Sequence, residues 1–218
     1  MLELMLPRPQ RRPTRILCLG AHCDDIEIGC GGTLLTLLAR RGGAEVTWVV
    51  FSAVPERERE LRASAQRFLR GARTSQLLVH AYRDSYFPGS YSAIKDSFES
   101  LKRRPSPDLI FTHRRADLHQ DHRLIGELTW NAFRRHLILE YEIPKYEGDL
   151  AAANAYVPLT KAQVQLKTRT LLSCYASQRT KQWFSAETLE ALMRLRGIEA
   201  GGETAWAEAF LVSKFNLL

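Results

Sequence analysis

The sequence predicts an α/β protein with a mostly parallel central sheet and helices on both faces. Three observations predict it. Five short apolar runs, rich in β-branched and aromatic residues, alternate with four segments whose apolar residues recur at three- and four-residue steps. Such alternation makes strand–helix–strand units, whose crossovers cover both faces of a parallel sheet. The 218 residues, 45% hydrophobic and 25% charged, suffice for one substantial core.

Residues 1–13 are expected to form an extension, and 14–218 a single domain. The apolar start "MLELML" is short and acid-interrupted, and basic residues follow rather than precede it. That is the wrong order for a secretory signal, so a cytoplasmic protein is expected. No run approaches the ~18 apolar residues of a membrane span. The first strand is "RILCLG" (15–20), followed by a helix "GTLLTLLARRG" (32–42) that closes on Gly42. The second pair is "AEVTWVVFSA" (44–53) and "PERERELRASAQRFLRG" (55–71), whose Pro55 and Gly71 suit a helix start and a helix end. The third is "SQLLVHAY" (75–82) with "SYSAIKDSFESLKRR" (90–104), and the fourth "PDLIFTH" (107–113) with "HRLIGELTWNAFRRH" (122–136). A fifth strand, "LILEYEI" (137–143), precedes a long irregular connection, "PKYEGDLAAANAYVPLTKAQ", of a length more often functional than idle. Helical segments at 160–177 and 185–197 and an apolar run, "WAEAFLVSKF", complete the chain.

The net charge of +7 comes from 31 Lys and Arg, many in clusters such as "RPQRRPTR". It fits a solvated basic surface or the attraction of an anionic small molecule. No nucleic-acid-binding motif accompanies it, so a nucleic-acid partner is not expected. Cys18, Cys23, Cys30 and Cys174 show no paired spacing and are expected to be free thiols.

Chemistry concentrates in two loops. "GAHCDDIEIGCGG" follows the first strand and "HRRADLHQDHRLIG" the fourth, both at the carboxyl edge of the sheet, where open α/β sheets bind ligands. His22 and Asp25 lie three apart, and an imidazole with a carboxylate suits Zn²⁺. A catalytic zinc wants three protein ligands, and His119, Asp121 and His122 offer the third. The bland alternatives are that Asp24 or Asp25 caps the next helix and that His119 and His122 are an exposed pair at a helix start. The glycines of "GCGG" match neither G-x-G-x-x-G nor a Walker loop, and are expected to let the first helix pack close to the loop. His80 and His113 are expected to be structural.

"GAHCDDIEIGCGGTL" resembles the "AHPDD…GGT" signature of the PIG-L/LmbE family of zinc-dependent N-deacetylases, and "HQDHRLIG" its "H-x-D-H" signature. "RERELRASAQRFL" (57–69) is similar to the family's R-x-x-E-L-x-x-A helix, and "SQ" (177–178) to a recurrent pair near the C-terminus. The likeness spans residues 14–215. It implies a Rossmann-like three-layer sandwich and hydrolysis of an N-acetyl group from a glucosamine-type sugar. It makes His22, Asp25 and His122 the ligands of one Zn²⁺, with Fe²⁺ chemically suited to the same donors. Asp24 matches the general base, His119 the second catalytic group, protonated to meet an oxyanion, and Asp121 a carboxylate that orients a histidine. Cys23 stands where the family has proline, and is expected either to point into the core or to add a fourth ligand.

Substrate contacts are expected from Arg57, Asp84, Arg115, Tyr141 and Lys145, the last two on a loop that would close over the site. The expected partner is a small N-acetylated molecule, with an anionic one admitted by the charge. A homo-oligomer is admitted by the apolar "AFLVSKFNLL". Two alternatives stay open: the same amidase chemistry on a non-sugar N-acyl metabolite, and a non-hydrolytic domain binding a nucleotide or S-adenosylmethionine.

Overall fold

A computed structural model describes residues 12–39, 43–201 and 205–214. Five parallel strands, β1 (Thr14–Gly20), β2 (Ala44–Val50), β3 (Thr74–Val79), β4 (Leu109–His113) and β5 (Leu137–Tyr141), form the body of the sheet. With β6 (Ala155–Leu159) and β7 (Trp206–Leu211) the order is β3-β2-β1-β4-β5-β7-β6, and β7 is antiparallel to both its neighbours. The side-chain alternation of β1 divides the core. Ile16 and Cys18 pack on one face with Leu34, Leu61, Phe68 and Leu171, from helices α1 (Asp25–Leu38), α2 (Pro55–Phe68) and α5 (Lys161–Cys174). Leu17 and Leu19 pack on the other face with Ile94, Phe98, Ile125 and Leu128, from α3 (Tyr91–Lys102) and α4 (Gln120–Ala132). Helix α6 (Ala186–Glu199) lies against α5 and β7. The result is the three-layer, mostly parallel α/β fold that the sequence predicts.

Two elements differ from expectation. Helix α1 begins at Asp25, seven residues before the expected Gly32, and runs through all three glycines. Glycine is a poor helix former in water, but this helix is buried on nearly every side, so packing overrides propensity. A Cβ at Gly29 would lie 2.2 Å from the Tyr141 ring, and one at Gly31 2.7 Å from Phe68. The glycines therefore serve contact with strand and helix side chains rather than with the loop. A buried ion pair enters the same helix: Lys167 Nζ donates to Ile28 O and to Glu208, 2.6 Å each, while Glu208 accepts from the backbone of Gly32 and Thr33. The second difference is β6, which arises within the expected irregular connection. Its Pro158 cannot donate to a ladder, and the strand sits at the sheet edge, where proline is tolerated.

The expected helix end at Gly42 lies outside the described residues, as does the extension up to residue 11. Arg12 is described and makes two 2.7 Å hydrogen bonds to Asp108. From β1 the chain builds outward through β2 to β3, then returns with β4 on the other side of β1. That reversal opens a crevice at the carboxyl ends of β1 and β4, between the two histidine-bearing loops.

Candidate metal centre

The β1 loop brings His22 and Asp25 to the crevice, and the first turn of α4 brings His122. His22 Nδ1 lies 3.1 Å from His122 Nε2 and 3.5 Å from Asp25 Oδ2, and His122 Nε2 lies 3.6 Å from Asp25 Oδ1. Asp25 turns a different oxygen to each histidine, and the ligand atoms of His22, His119 and His122, and those of Asp25, His113 and His122, lie within 4.8 Å of one another, so this histidine and carboxylate cluster could hold a metal ion. His22 and His122 each have a carboxylate behind them. His22 Nε2 lies 3.1 Å from Asp84 Oδ1 and 3.4 Å from Asp121 Oδ2, and His122 Nδ1 lies 3.2 Å from Asp117 Oδ2. This arrangement fixes ring orientation and raises ligand basicity in metal sites. Asp121 also accepts from the backbone of Ser85 and Phe87, tying down a turn in which Ser85 adopts a left-handed φ of 64°.

His119 completes the cluster as the N-cap of α4, its ring stacked on His122 at 4.5 Å and edge-on to His22 at 5.1 Å. Its Nδ1 accepts the backbone N–H of Asp121, which leaves the ring proton to Nε2. Asp24 is buried beside the cluster. Its Oδ1 accepts from Arg57 at 2.7 Å, and its other oxygen makes no hydrogen bond among the described residues. Neither Asp24 nor Asp25 caps α1 through its side chain; Asp25 instead accepts the backbone N–H of His22 at 2.6 Å.

The electrostatics separate these groups. Burial raises Asp24 above the usual carboxylate range against the pull of Arg57. Burial opposes ionisation of Asp25 as well, but His122, His113 and His22 outweigh it and hold that carboxyl well below the usual range. Burial and the neighbouring His113 push His122 down to about 3. His22 goes the other way, because Asp25, Asp121 and Asp84 together overcome its desolvation. Burial and the neighbouring His22 lower His119 below the usual imidazole range.

A family model described as PIG-L, GlcNAc-PI de-N-acetylase, matches residues 17–133, more than half of the chain. The chain belongs to the PIG-L family. Solved structures share its fold. The conserved protein TT1542 of Thermus thermophilus is 22% identical, with 93% of this chain and 96% of that chain covered and a TM-score of 0.70. The N,N'-diacetylchitobiose deacetylase of Pyrococcus horikoshii is 21% identical over 91% of this chain and 83% of that one, with a TM-score of 0.66. The 4-carboxy-2-hydroxymuconate hydratase GalB of Pseudomonas putida KT2440 is 15% identical over 94% and 98%, with a TM-score of 0.68. No match was found among curated proteins.

Against this PIG-L frame, the residues expected at the metal and at the chemistry lie in one cluster, while those expected at substrate divide. Arg57 and Asp84 adjoin the cluster, Arg57 on Asp24 and Asp84 on His22. Tyr141 does not line a pocket: it is wholly buried, its hydroxyl donates to Leu19 O, and its ring packs on Gly29. Arg115 is held by Glu140 and Ser213 and stacked on Trp130. Lys145 is nearly buried between Asp117 and Asp149. The expectations for Tyr141 and Lys145 fail because β5 and the loop after it turn inward to support the sheet and Asp117, whereas Arg115 stays exposed. Cys23 faces the core, its thiol near Ser52 O and pushed up to about 12 by burial, so it is no fourth ligand.

Sequence reasoning gave His113 no site role and named Asp117 only as one that could line the pocket. His113, expected to be structural, places Nε2 3.0 Å from Asp25 Oδ2 and stacks on His122 at 4.0 Å. Asp117, which also accepts from Lys145 and from the backbone of His119, backs His122. Their position, at the last residue of β4 and in the loop after it, was the available signal. Behind Asp24, Glu27 is pushed up to about 8 by burial and meets Tyr175, whose hydroxyl also reaches Cys23 O.

Proposed function

We propose that this chain is a metal-dependent hydrolase that removes an N-acetyl group from an amino sugar or an amino-sugar conjugate. The observation that carries it is the convergence of His22, Asp25 and His122, each pair of residues approaching to 3.1–3.6 Å, with Asp24 beside them and held by Arg57. Zinc suits two imidazole nitrogens and a carboxylate; bound there it would supply a Lewis acid for the amide carbonyl and a water of lowered pKa. Family membership, and the fold shared with a chitobiose deacetylase, favour an N-acetylated amino sugar over other amides. The glycine run favours no nucleotide, because its positions are closed by Tyr141 and Phe68 rather than open to a phosphate.

The chain's own groups divide the remaining work. Asp24, made more basic by burial, takes a proton from the attacking water while Arg57 fixes its Oδ1. His119, neutral with its proton on Nε2, donates a hydrogen bond to the carbonyl oxygen as negative charge grows there. The C–N bond then breaks, and the proton that Asp24 holds passes to the leaving amine. Acetic acid, which gives up its proton to solvent as acetate, and a free amine result. The test is amine release from a panel of N-acetylated sugars by the zinc-loaded chain and by Asp24→Asn. Release from a panel member, reduced about 10²–10⁴-fold in the variant, is expected. Equal rates in the two proteins would refute the role of Asp24, and no release from any sugar would refute the substrate class.

A further inference from the structure

Glu60 and the Ser177–Gln178 pair have no part in the proposed chemistry, yet the fold brings them to the group that holds Asp24. Arg57 and Glu60 lie three apart at the start of α2 and so share one face of that helix. Ser177 comes from a short 3-10 turn, Ala176–Gln178, directly after α5. It donates its backbone N–H to Glu60 Oε1 at 2.9 Å and its hydroxyl to Glu60 Oε2 at 2.5 Å. The amide nitrogen of Gln178 donates to Ser177 Oγ at 3.0 Å, which leaves the single hydroxyl proton of Ser177 for Glu60. Both oxygens of Glu60 are thus held by a residue 117 positions away in the chain, and its side chain is only 11% exposed.

That anchored carboxylate sets the reach of Arg57. Arg57 Nε lies 3.7 Å from Glu60 Oε2 and makes no hydrogen bond among the described residues, so the pair is held by charge alone. A guanidinium offers a fork of donors that closes readily on both oxygens of a carboxylate. Here Arg57 gives Asp24 one bond, from Nη2 to Oδ1 at 2.7 Å, and the second oxygen of Asp24 takes none from it. Tyr175, beside the same turn, steadies the other side: its hydroxyl meets Cys23 O at 2.6 Å, one residue before Asp24. We infer that Glu60 and Ser177 are positioning residues, which draw Arg57 back so that it takes one oxygen of Asp24 and leaves the other for the attacking water. This rests on the proposal that Asp24 accepts that water's proton.

The test compares kcat and KM of the zinc-loaded full-length protein with those of Ser177→Ala, Ser177→Thr and Arg57→Ala, on the N-acetylated sugar of the panel that is turned over fastest. Ser177→Ala is expected to lower kcat about 10-fold, with KM and zinc content unchanged, because a small loss of aim at the reacting groups is costly. Ser177→Thr keeps the hydroxyl and should restore kcat. In the Arg57→Ala protein, adding Ser177→Ala should cost nothing more, since the effect runs through Arg57. An unchanged kcat in Ser177→Ala, or an equal loss in the Arg57→Ala background, would overturn the inference. So would a fall in kcat matched by loss of zinc, which would make Ser177 a packing residue of the loop. Nitrogen-15 NMR of the arginine side chains supplies a readout that does not need turnover. Rotation of the Arg57 guanidinium, slow in the wild type, should quicken in Ser177→Ala and slow again in Ser177→Thr. If no sugar is deacetylated, the proposed activity fails, yet that change in rotation still supports the hold of Glu60 and Ser177 on Arg57. Equal rotation in the three proteins overturns it.

Discussion

At the scale of single residues, the site turns on two imidazoles aimed by carboxylates, His22 by Asp84 and Asp121 and His122 by Asp117. His122 presents Nε2 to the common point because Asp117 holds Nδ1, and Lys145 and the backbone of His119 hold Asp117 in turn. Removing the charge behind a metal-bound histidine typically weakens the metal 10–100-fold, so Asp117→Asn should raise the zinc dissociation constant by about that factor. Competition with a chromophoric chelator measures it, and an unchanged constant would show that Asp117 only packs the loop. The principal ligand candidates and Asp24 were legible because two short motifs carry them in fixed spacing. Their supports were not. Nothing in the sequence says that His113 ends its strand against Asp25, or that Lys145 turns toward Asp117. Tyr141 was misjudged for the same reason: a chain of letters records which residues follow a strand, not which way their side chains go.

At the scale of elements, α1 is the part that holds the β1 loop in place, and it breaks the rules of an isolated helix. It carries three glycines, it is buried almost all round, and an ion pair from α5 and β7 takes over hydrogen bonds in its middle. Gly29→Ala should destabilise the protein by about 1–3 kcal/mol, since the new methyl would meet the ring of a fully buried Tyr141. Lys167→Met should cost about 3–5 kcal/mol, because it leaves Glu208 charged and buried without its partner. Urea denaturation of both variants at neutral pH checks these values; a loss below 0.5 kcal/mol in either, a bound set by the ±0.5 kcal/mol usual for surface substitutions, would mean that the helix relaxes around the change. The start of α1 was hidden from the sequence by its glycines, which read as a turn when burial is unknown. Strand β6 was hidden by Pro158, which is admissible only because the strand lies at the edge of the sheet.

At the scale of the whole molecule, the alternation of strands and helices was enough to foresee the layered sheet, and the neighbouring of β1 and β4 was enough to foresee where the two loops would meet. The net charge was less informative. Its sum of +7 suggested an anionic partner, but Arg57 and Lys145 beside the site are paired within the fold. Because the cluster joins residues from the β1 loop and α4, about a hundred positions apart, a bound ion links segments that unfolding would separate. Zinc at 100 times its dissociation constant should therefore add about 2.7 kcal/mol to stability, seen as a rise in Tm that Asp25→Ala abolishes. The most direct test of the central claim is metal content by mass spectrometry, on wild type and Asp25→Ala, after equilibration with zinc and desalting. Close to one equivalent per chain in the wild type and almost none in the variant is the predicted result. No metal in the wild type, or equal metal in both, would contradict the site.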